Sequence, residues 1–374
     1  MFFKEVIGQL SVKSHLLKSV KENRLSHAYL LAGNEGTGAL PLAIAFASYL
    51  NCLNPKEDDS CGTCSSCLKA RKLIHPDIHF VFPVIKTGTS TPTSDDSIFE
   101  WRKFVLSNPY FTSLQWFSEI GDDKKSGSIY VEESISIIKK LSLKNFEGKF
   151  KIMIIWLPER MNVSGANKLL KILEEPPANT VFLLVSENPD ALLLTILSRT
   201  QRIKVPPIET KIIADILSER FSVPADEAAF LAKLSAGNFV KAIENLNNAD
   251  NNSELMDTFA NFMRHAYGRK VSDLEKWVSM VSTLSRDKLK NFFVYATSIL
   301  RDSFLYNYSK PELVFLNKKE TEFVNKFSRY INSENVVKMV EELDLAYAHI
   351  EQNGNAKIVL FDMAIKFVIL FNKK

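Results

Sequence analysis

The sequence predicts an α/β fold: a parallel sheet between helical layers, with a four-cysteine module inserted into it, then a small helical domain and an all-α domain. Three observations carry that reading. Apolar runs of strand length alternate with helical periods as far as Val205, all four cysteines fall between Cys52 and Cys67, and beyond Pro207 only helical periodicity recurs.

From Ser26 to Ala32 an apolar run leads into Gly33-Asn34-Glu35-Gly36-Thr37-Gly38, and an Ala-rich stretch follows from Ala39 to Leu50, which is strand, glycine turn, helix. A second strand, Lys151 to Trp156, precedes a helix over Ala166 to Glu175. Pro176-Pro177 must end that helix, because proline lacks the amide hydrogen and clashes with the preceding turn. A third strand spans Thr180 to Ser186, a helix lies near Pro189 to Leu197, and a fourth strand runs from Gln201 to Val205. Residues 208–247 hold two or three short helical periods broken at Gly237-Asn238, and from Asn252 the pattern is helical throughout. The expected division is therefore 1–207, 208–250 and 251–374, with the cysteine module at about 52–75. Between Lys86 and Ser97 the low apolar content predicts a mobile loop, and the aromatic-rich stretch Phe99 to Phe117 predicts helix.

Composition removes several classes. Apolar residues make up 46% and charged residues 24% of the 374, the balance of a globular protein rather than a disordered, collagenous or membrane one. Lys and Arg number 47 against 43 Asp and Glu, so any nucleic-acid contact must be local rather than a property of the whole chain. Charged residues near Met1 precede any apolar run long enough for a secretion signal, and runs such as Ile152 to Leu157 and Val181 to Val185 fall far short of the roughly 18–20 residues that span a bilayer. The expectation is a cytoplasmic protein with no membrane partner, whose thiols stay reduced.

Cys52, Cys61, Cys64 and Cys67 are spaced C-x8-C-x2-C-x2-C. Four thiolates complete a tetrahedral zinc shell, and a closed shell leaves no open position for water, so the expected metal is structural zinc. The long first spacing leaves Cys52 and His75, in Ile74-His75-Pro76-Asp77, as alternative fourth ligands.

Gly33-x4-Gly38 has the frame of a phosphate loop, but Ala39 and Leu40 stand where the lysine and the hydroxyl residue belong. Without the ammonium and the magnesium ligand, hydrolysis is not expected, and Gly33, Gly36 and Gly38 read as a vestigial phosphate loop or a chance glycine turn. The strand from Ile152 ends in Leu157-Pro158-Glu159, so the acidic pair that would hold magnesium is missing and Glu159 lies one position late.

Val6-Ile7-Gly8-Gln9, Ser26 to Gly33, the cysteine module, His75-Pro76-Asp77, Gly165 to Pro177 and Ser198-Arg199-Thr200 together resemble the AAA+ clamp-loader subunits of bacterial DNA polymerase III, most closely those of the delta prime type. The resemblance covers roughly residues 6–205 and is weaker in the C-terminal third, at Leu300-Arg301-Asp302 and Asn355-Ala356-Lys357. Residues 87–130 match no family motif and read as an insertion. The resemblance implies an AAA+ domain, a helical lid and a helical collar that assembles with tau/gamma-type motor subunits and a delta subunit. It also implies action, through that complex, on a sliding clamp and primed DNA. In such subunits a Ser-Arg-Cys arginine reaches ATP on a neighbouring motor subunit. Arg199 carries over while Thr200 departs from the pattern, and the alternative is that Arg199 caps a helix C-terminus. The lid arginine of motor subunits falls at Val240, beside Lys241. Lys139, Lys140, Lys144, Lys149 and Lys151 either approach DNA phosphates or form a solvated face. Two other functions stay open: an ATP-hydrolysing motor subunit, and a stand-alone zinc-containing nucleic-acid-binding protein.

Overall fold

Strands that read as unbroken apolar runs must be covered on both faces, and the sheet obeys that requirement. The structure, a computed structural model, describes residues 1–86, 91–121, 127–247, 249–307, 316 and 318–371. It divides into two compact units, Met1–Ile243 and Glu244–Lys374.

In the first unit, β1 (Ala28–Ala32), β2 (Ile78–Val81), β3 (Lys151–Trp156), β4 (Thr180–Ser186) and β5 (Gln201–Lys204) form one parallel sheet in the order β2-β3-β4-β1-β5. The register pairs Ala28 with Phe182, Lys151 with Thr180, Ile78 with Ile152 and Tyr29 with Gln201. Every residue of β1, β3 and β4 is buried, while the edge strand β5 buries only Ile203. Strand side chains alternate between faces. Tyr29, Leu31, Ile152, Ile154, Leu183 and Val185 join one core, and Ala28, Leu30, Met153, Ile155, Phe182 and Leu184 join the other.

The first core holds α1 (Leu10–Lys21) and α2 (Ala39–Leu50). All twelve residues of α2 are buried, which suits a helix apolar on every side. The cysteine module follows α2 and includes α3 (Ser65–Arg71). On the other face lie α6 (Val131–Ser142) and α7 (Val163–Glu174), the latter with Leu169 and Leu173 turned inward and stopped by Pro176 as expected. The helix expected near Pro189 to Leu197 is a 3-10 turn at Pro189–Ala191 followed by the short α8 (Leu194–Leu197).

The stretch expected as helix from Phe99 to Phe117 is two helices, α4 (Ile98–Ser107) and α5 (Ser113–Glu119). The loop expected to be mobile between Lys86 and Ser97 differs from that expectation over 91–97; its residues 87–90 lie outside the described ones. Ser94 is fully buried, its Oγ accepts the Phe82 N–H at 2.9 Å, and its N–H donates to Glu133. A polar segment becomes ordered here because its hydrogen bonds are made inside the protein rather than to water. Part of the segment 87–130 expected as an insertion, residues 122–126, also lies outside the described residues.

After Pro207 come α9 (Thr210–Phe221), α10 (Ala225–Leu234) and α11 (Phe239–Asn247). The second unit is helical: α12 (Ala249–Tyr267), α13 (Val271–Val281), α14 (Arg286–Asn307), α15 (Lys318–Phe327), α16 (Val336–Glu351) and α17 (Ala356–Leu370). Its core includes Phe259, Phe262, Trp277, Phe292, Leu343 and Phe367, with Phe262 stacked on Trp277 at 4.7 Å. Helix α17 buries Leu360, Met363, Ala364 and Phe367 yet exposes Ile358 and Ile369. Among the described residues, no helix is long and apolar enough to cross a membrane.

Candidate functional site

In open parallel sheets, ligands bind beyond the carboxyl ends of the strands. Here those ends are Ala32, Trp156 and Ser186. The glycine loop leaves β1 with the Gly33 N–H donating to Ser186 C=O at 3.1 Å, and it enters α2 through Gly36 and Gly38, both at positive φ. Gln9, from the Val6-Ile7-Gly8-Gln9 run, ties the loop to the segment after β5: its Nε2 donates to Thr37 C=O at 3.0 Å and Pro206 C=O at 2.7 Å.

Between this loop and Trp156 lies a cavity of about 30 Å³, lined also by Ala39, Leu40, Tyr110 and Phe111. Glu187 stands at its edge. Burial, with Glu35 and Glu159 nearby, pushes the Glu187 carboxyl up to about 7. Glu159 fastens the turn after β4, its Oε1 accepting the N–H groups of Glu187 at 2.9 Å and Asn188 at 3.0 Å. Leu157, where an acid would be needed, is buried and holds the turn at φ 56°.

Arg199 follows α8. Its Nη2 lies 3.0 Å from Glu174 Oε2, its Nε donates to the same oxygen at 3.3 Å, and Nη1 donates to Thr195 C=O at 3.0 Å. The guanidinium thus caps the short helix while one face stays in solvent. The bond to Thr195 C=O is that of the expected helix cap.

The four cysteine sulfurs all lie within 4.8 Å of one another. A tetrahedral zinc with sulfurs at about 2.3 Å sets them about 3.8 Å apart. Cys52 and Cys67 stand at 3.5 Å, and Cys61 and Cys67 at 3.8 Å. Backbone N–H groups of Cys61, Cys64 and Cys67 point at the sulfurs of Cys52, Cys61 and Cys64 at 3.2, 3.4 and 3.4 Å, stabilising negative charge there. The Thr63 and Cys64 N–H groups pull the Cys61 thiol down to about 6, whereas burial pushes Cys52 and Cys67 up. Four soft ligands at this spacing fit a zinc ion.

His75 points elsewhere. It is buried, its Nδ1 accepts the Asp77 N–H at 3.1 Å, and its Nε2 lies 3.6 Å from Glu147. Asp77 in turn accepts the N–H groups of Phe146, Glu147 and Gly148 at 2.8, 2.9 and 2.7 Å; against burial, these bonds hold its carboxyl below the usual range. His75-Pro76-Asp77 therefore fastens the turn before β3.

The lysine group separates. Lys151 is buried and donates to the carbonyls of Lys140, Leu143 and Lys144, closing the end of α6, and Lys140 pairs with Asp95 at 2.7 Å. Lys139, Lys144 and Lys149 remain exposed. Val240 is buried and Lys241 exposed. Sequence reasoning passed over Glu174, Glu187, Tyr110 and Phe111. For Glu174 and Glu187 the signal was a carboxylate at a strand or helix end, and for the two aromatics no local signal exists.

A family model described as "DNA polymerase III, delta subunit" matches residues 8–209. The DNA polymerase III subunit delta' of Bacillus subtilis is 30% identical over 236 residues, which is 63% of this chain and 58% of that protein. The DNA polymerase III subunit tau/gamma of Haemophilus influenzae is 28% identical over 241 residues, 63% of this chain and 29% of that protein. Each match thus spans less than two thirds of the relative's own length. A gamma subunit-related protein of Thermotoga maritima overlaps 96% of this chain and all of its own at 16% identity and a TM-score of 0.38, too loose to bear on arrangement.

Proposed function

The chain belongs to the DNA polymerase III, delta subunit family, and on that footing we propose that it is a non-catalytic subunit of a clamp loader. In this reading residues 1–207 form an AAA+ domain, 208–250 a lid and 251–374 a collar. The collar assembles with tau/gamma-type motor subunits and a delta subunit in the cytoplasm, and the assembly places a sliding clamp on primed DNA. The apolar residues that α17 exposes supply surface for such assembly.

Arg199 is the residue that acts. It is permanently charged, forks onto oxygens, and stands at the surface beyond α8. Its partner Glu174 is 59% exposed, and an ion pair that open is worth about 0–1 kcal/mol, so the negative charge of a neighbour's ATP can take the guanidinium over. Arg199 then stabilises charge on the transferring phosphoryl group, while this chain contributes no hydrolysis: Ala39 and Leu40 offer neither the ammonium nor the magnesium ligand. Cys52, Cys61, Cys64 and Cys67 hold a structural zinc that folds the module between α2 and β2.

The observation that carries this reading is the pairing of a half-buried Arg199, held only by an open ion pair and a helix-cap bond, with a glycine loop lacking its chemistry. The test is Arg199→Ala in a loader reconstituted from motor and delta subunits. DNA-stimulated hydrolysis at the adjoining site should fall by about 10³-fold or more, with Arg199→Lys recovering little because it cannot fork. An unchanged rate would overturn the role.

A further inference from the structure

We infer that the glycine loop Gly33–Gly38 is a socket for the inserted segment of the same chain, in which Tyr110 and Phe111 occupy the place of a nucleotide.

The space is already filled. About 30 Å³ remains beside the loop, whereas small-molecule pockets need about 300–1,000 Å³. A side chain grown from Gly38 would meet the Tyr110 ring at 3.1 Å and its hydroxyl at 3.2 Å, so the ring rests on bare loop backbone. At Gly36 a Cβ would overlap the Asn238 amide, 1.8 Å from Oδ1. Both glycines also stand at positive φ. The glycine frame thus has a reason to be there with no phosphate: two of the chain's own side chains need the room.

Tyr110 also links segments far apart in sequence. Its hydroxyl accepts the Ile7 N–H at 2.7 Å, and its ring meets Phe239 of α11 edge-on at 5.2 Å. The Phe239 N–H donates to Gly36 C=O at 3.1 Å. One buried ring therefore joins the N-terminal segment, the glycine loop and the start of α11. Phe111 completes the filling, 5.1 Å from Trp156 and 5.7 Å from Trp101 of α4. Trp156 ends β3, beside the positions where an acidic pair would hold magnesium.

Charge points the same way. Glu35 and Glu187 line the cavity, where a triphosphate needs cations, and Glu35 and nearby Glu159 help to push the Glu187 carboxyl up. Arg160, beside them, lies over the Phe117 ring at 5.2 Å. The start of α11 is consequently fastened to the loop by aromatic packing, whether or not Arg199 serves a neighbour.

The test uses the full chain, a fluorescent ATP with magnesium, and amide hydrogen exchange. The wild type should show no binding up to about 1 mM nucleotide, with slow exchange at 33–39 and 237–242 unchanged by ATP. Tyr110→Ala should speed exchange in both segments at least about tenfold while β3 and β4 stay protected. Tyr110→Phe, which keeps the ring and loses only the bond to Ile7, should change them less, and it serves if the alanine variant does not fold. Nucleotide binding by the wild type overturns the inference, as does exchange in the two segments that ignores the loss of the ring. Neither outcome touches the Arg199 assay, so the two proposals fail separately.

Discussion

The glycine loop and the cysteine module are the two motifs of the first unit, and they differ in what each retains. The module keeps side chains: four sulfurs lie within 4.8 Å, with backbone N–H groups aimed at three of them. The loop keeps only backbone, since its glycines remain while Ala39 and Leu40 stand where chemistry would be. A ligand set of four specific side chains has little use except to bind. A glycine frame has a second use, because any close-packed partner needs the same bare backbone and positive φ. The lesson is that side-chain identity reports chemistry, and glycine spacing alone reports only geometry.

The sharpest way to break that contrast is metal analysis. Protein purified without chelator should carry about one zinc per chain, with a binding free energy on the order of 10 kcal/mol tied to folding of the module. Chelation should loosen residues 52–75 and also the N-terminus, because Asp59 accepts the N–H groups of Phe3 at 3.0 Å and Lys4 at 3.1 Å, and Phe2 packs on Cys52 and Cys67. The larger cores should persist. Zinc well below one per chain would remove the distinction between the two motifs.

Phe111→Ala sharpens the other side. If the cleft is packed core, removing a 6%-exposed ring set among Trp101, Phe104 and Trp156 should cost about 3–5 kcal/mol in urea unfolding. A loss below about 1 kcal/mol would mark the cleft as loosely filled.

Next in size is Glu187→Gln. The folded-state value lies near 7 against 4.5 for the free side chain, so between those values the folded chain holds the proton more tightly than the unfolded one. Stability is therefore lost as pH rises from about 4.5 to 7, by at most ~3 kcal/mol. The glutamine variant should match the wild type below pH 4.5 and exceed it at pH 8. Equal pH dependence in the two would show that the mouth of the loop is open to water.

The smallest effect should be Glu174→Ala, which removes an exposed ion pair worth about 0–1 kcal/mol. Chemical denaturation should barely move, while a reconstituted loader should respond through the altered aim of Arg199. A large stability loss instead would make the pair structural.

Much of the sheet was legible because parallel strands are buried on both faces and leave unbroken apolar runs, as in β3 and β4. Strand β2 was passed over, since its four residues sit between Asp77 and Pro83 and one of them is His79, too short and mixed to stand out. The polar run at 91–97 read as mobile because its order depends on Phe82 and Glu133, which local composition does not reveal. Sequence spacing left Cys52 and His75 as alternative fourth ligands, and only the fold shows Cys52 at 3.5 Å from Cys67 and His75 beside Glu147.

By itself the sequence determined the alternation of strands and helices, the termination of α7 at Pro176, the clustering of the four cysteines and the missing lysine, because each is written in residue type and short-range spacing. Only the tertiary structure decided what fills the glycine loop and what holds Arg199. Tyr110 reaches Ile7 across 103 residues and Arg199 reaches Glu174 across 25, and pairings at such separations leave no trace in local periodicity, since they exist only once the sheet has brought the segments together.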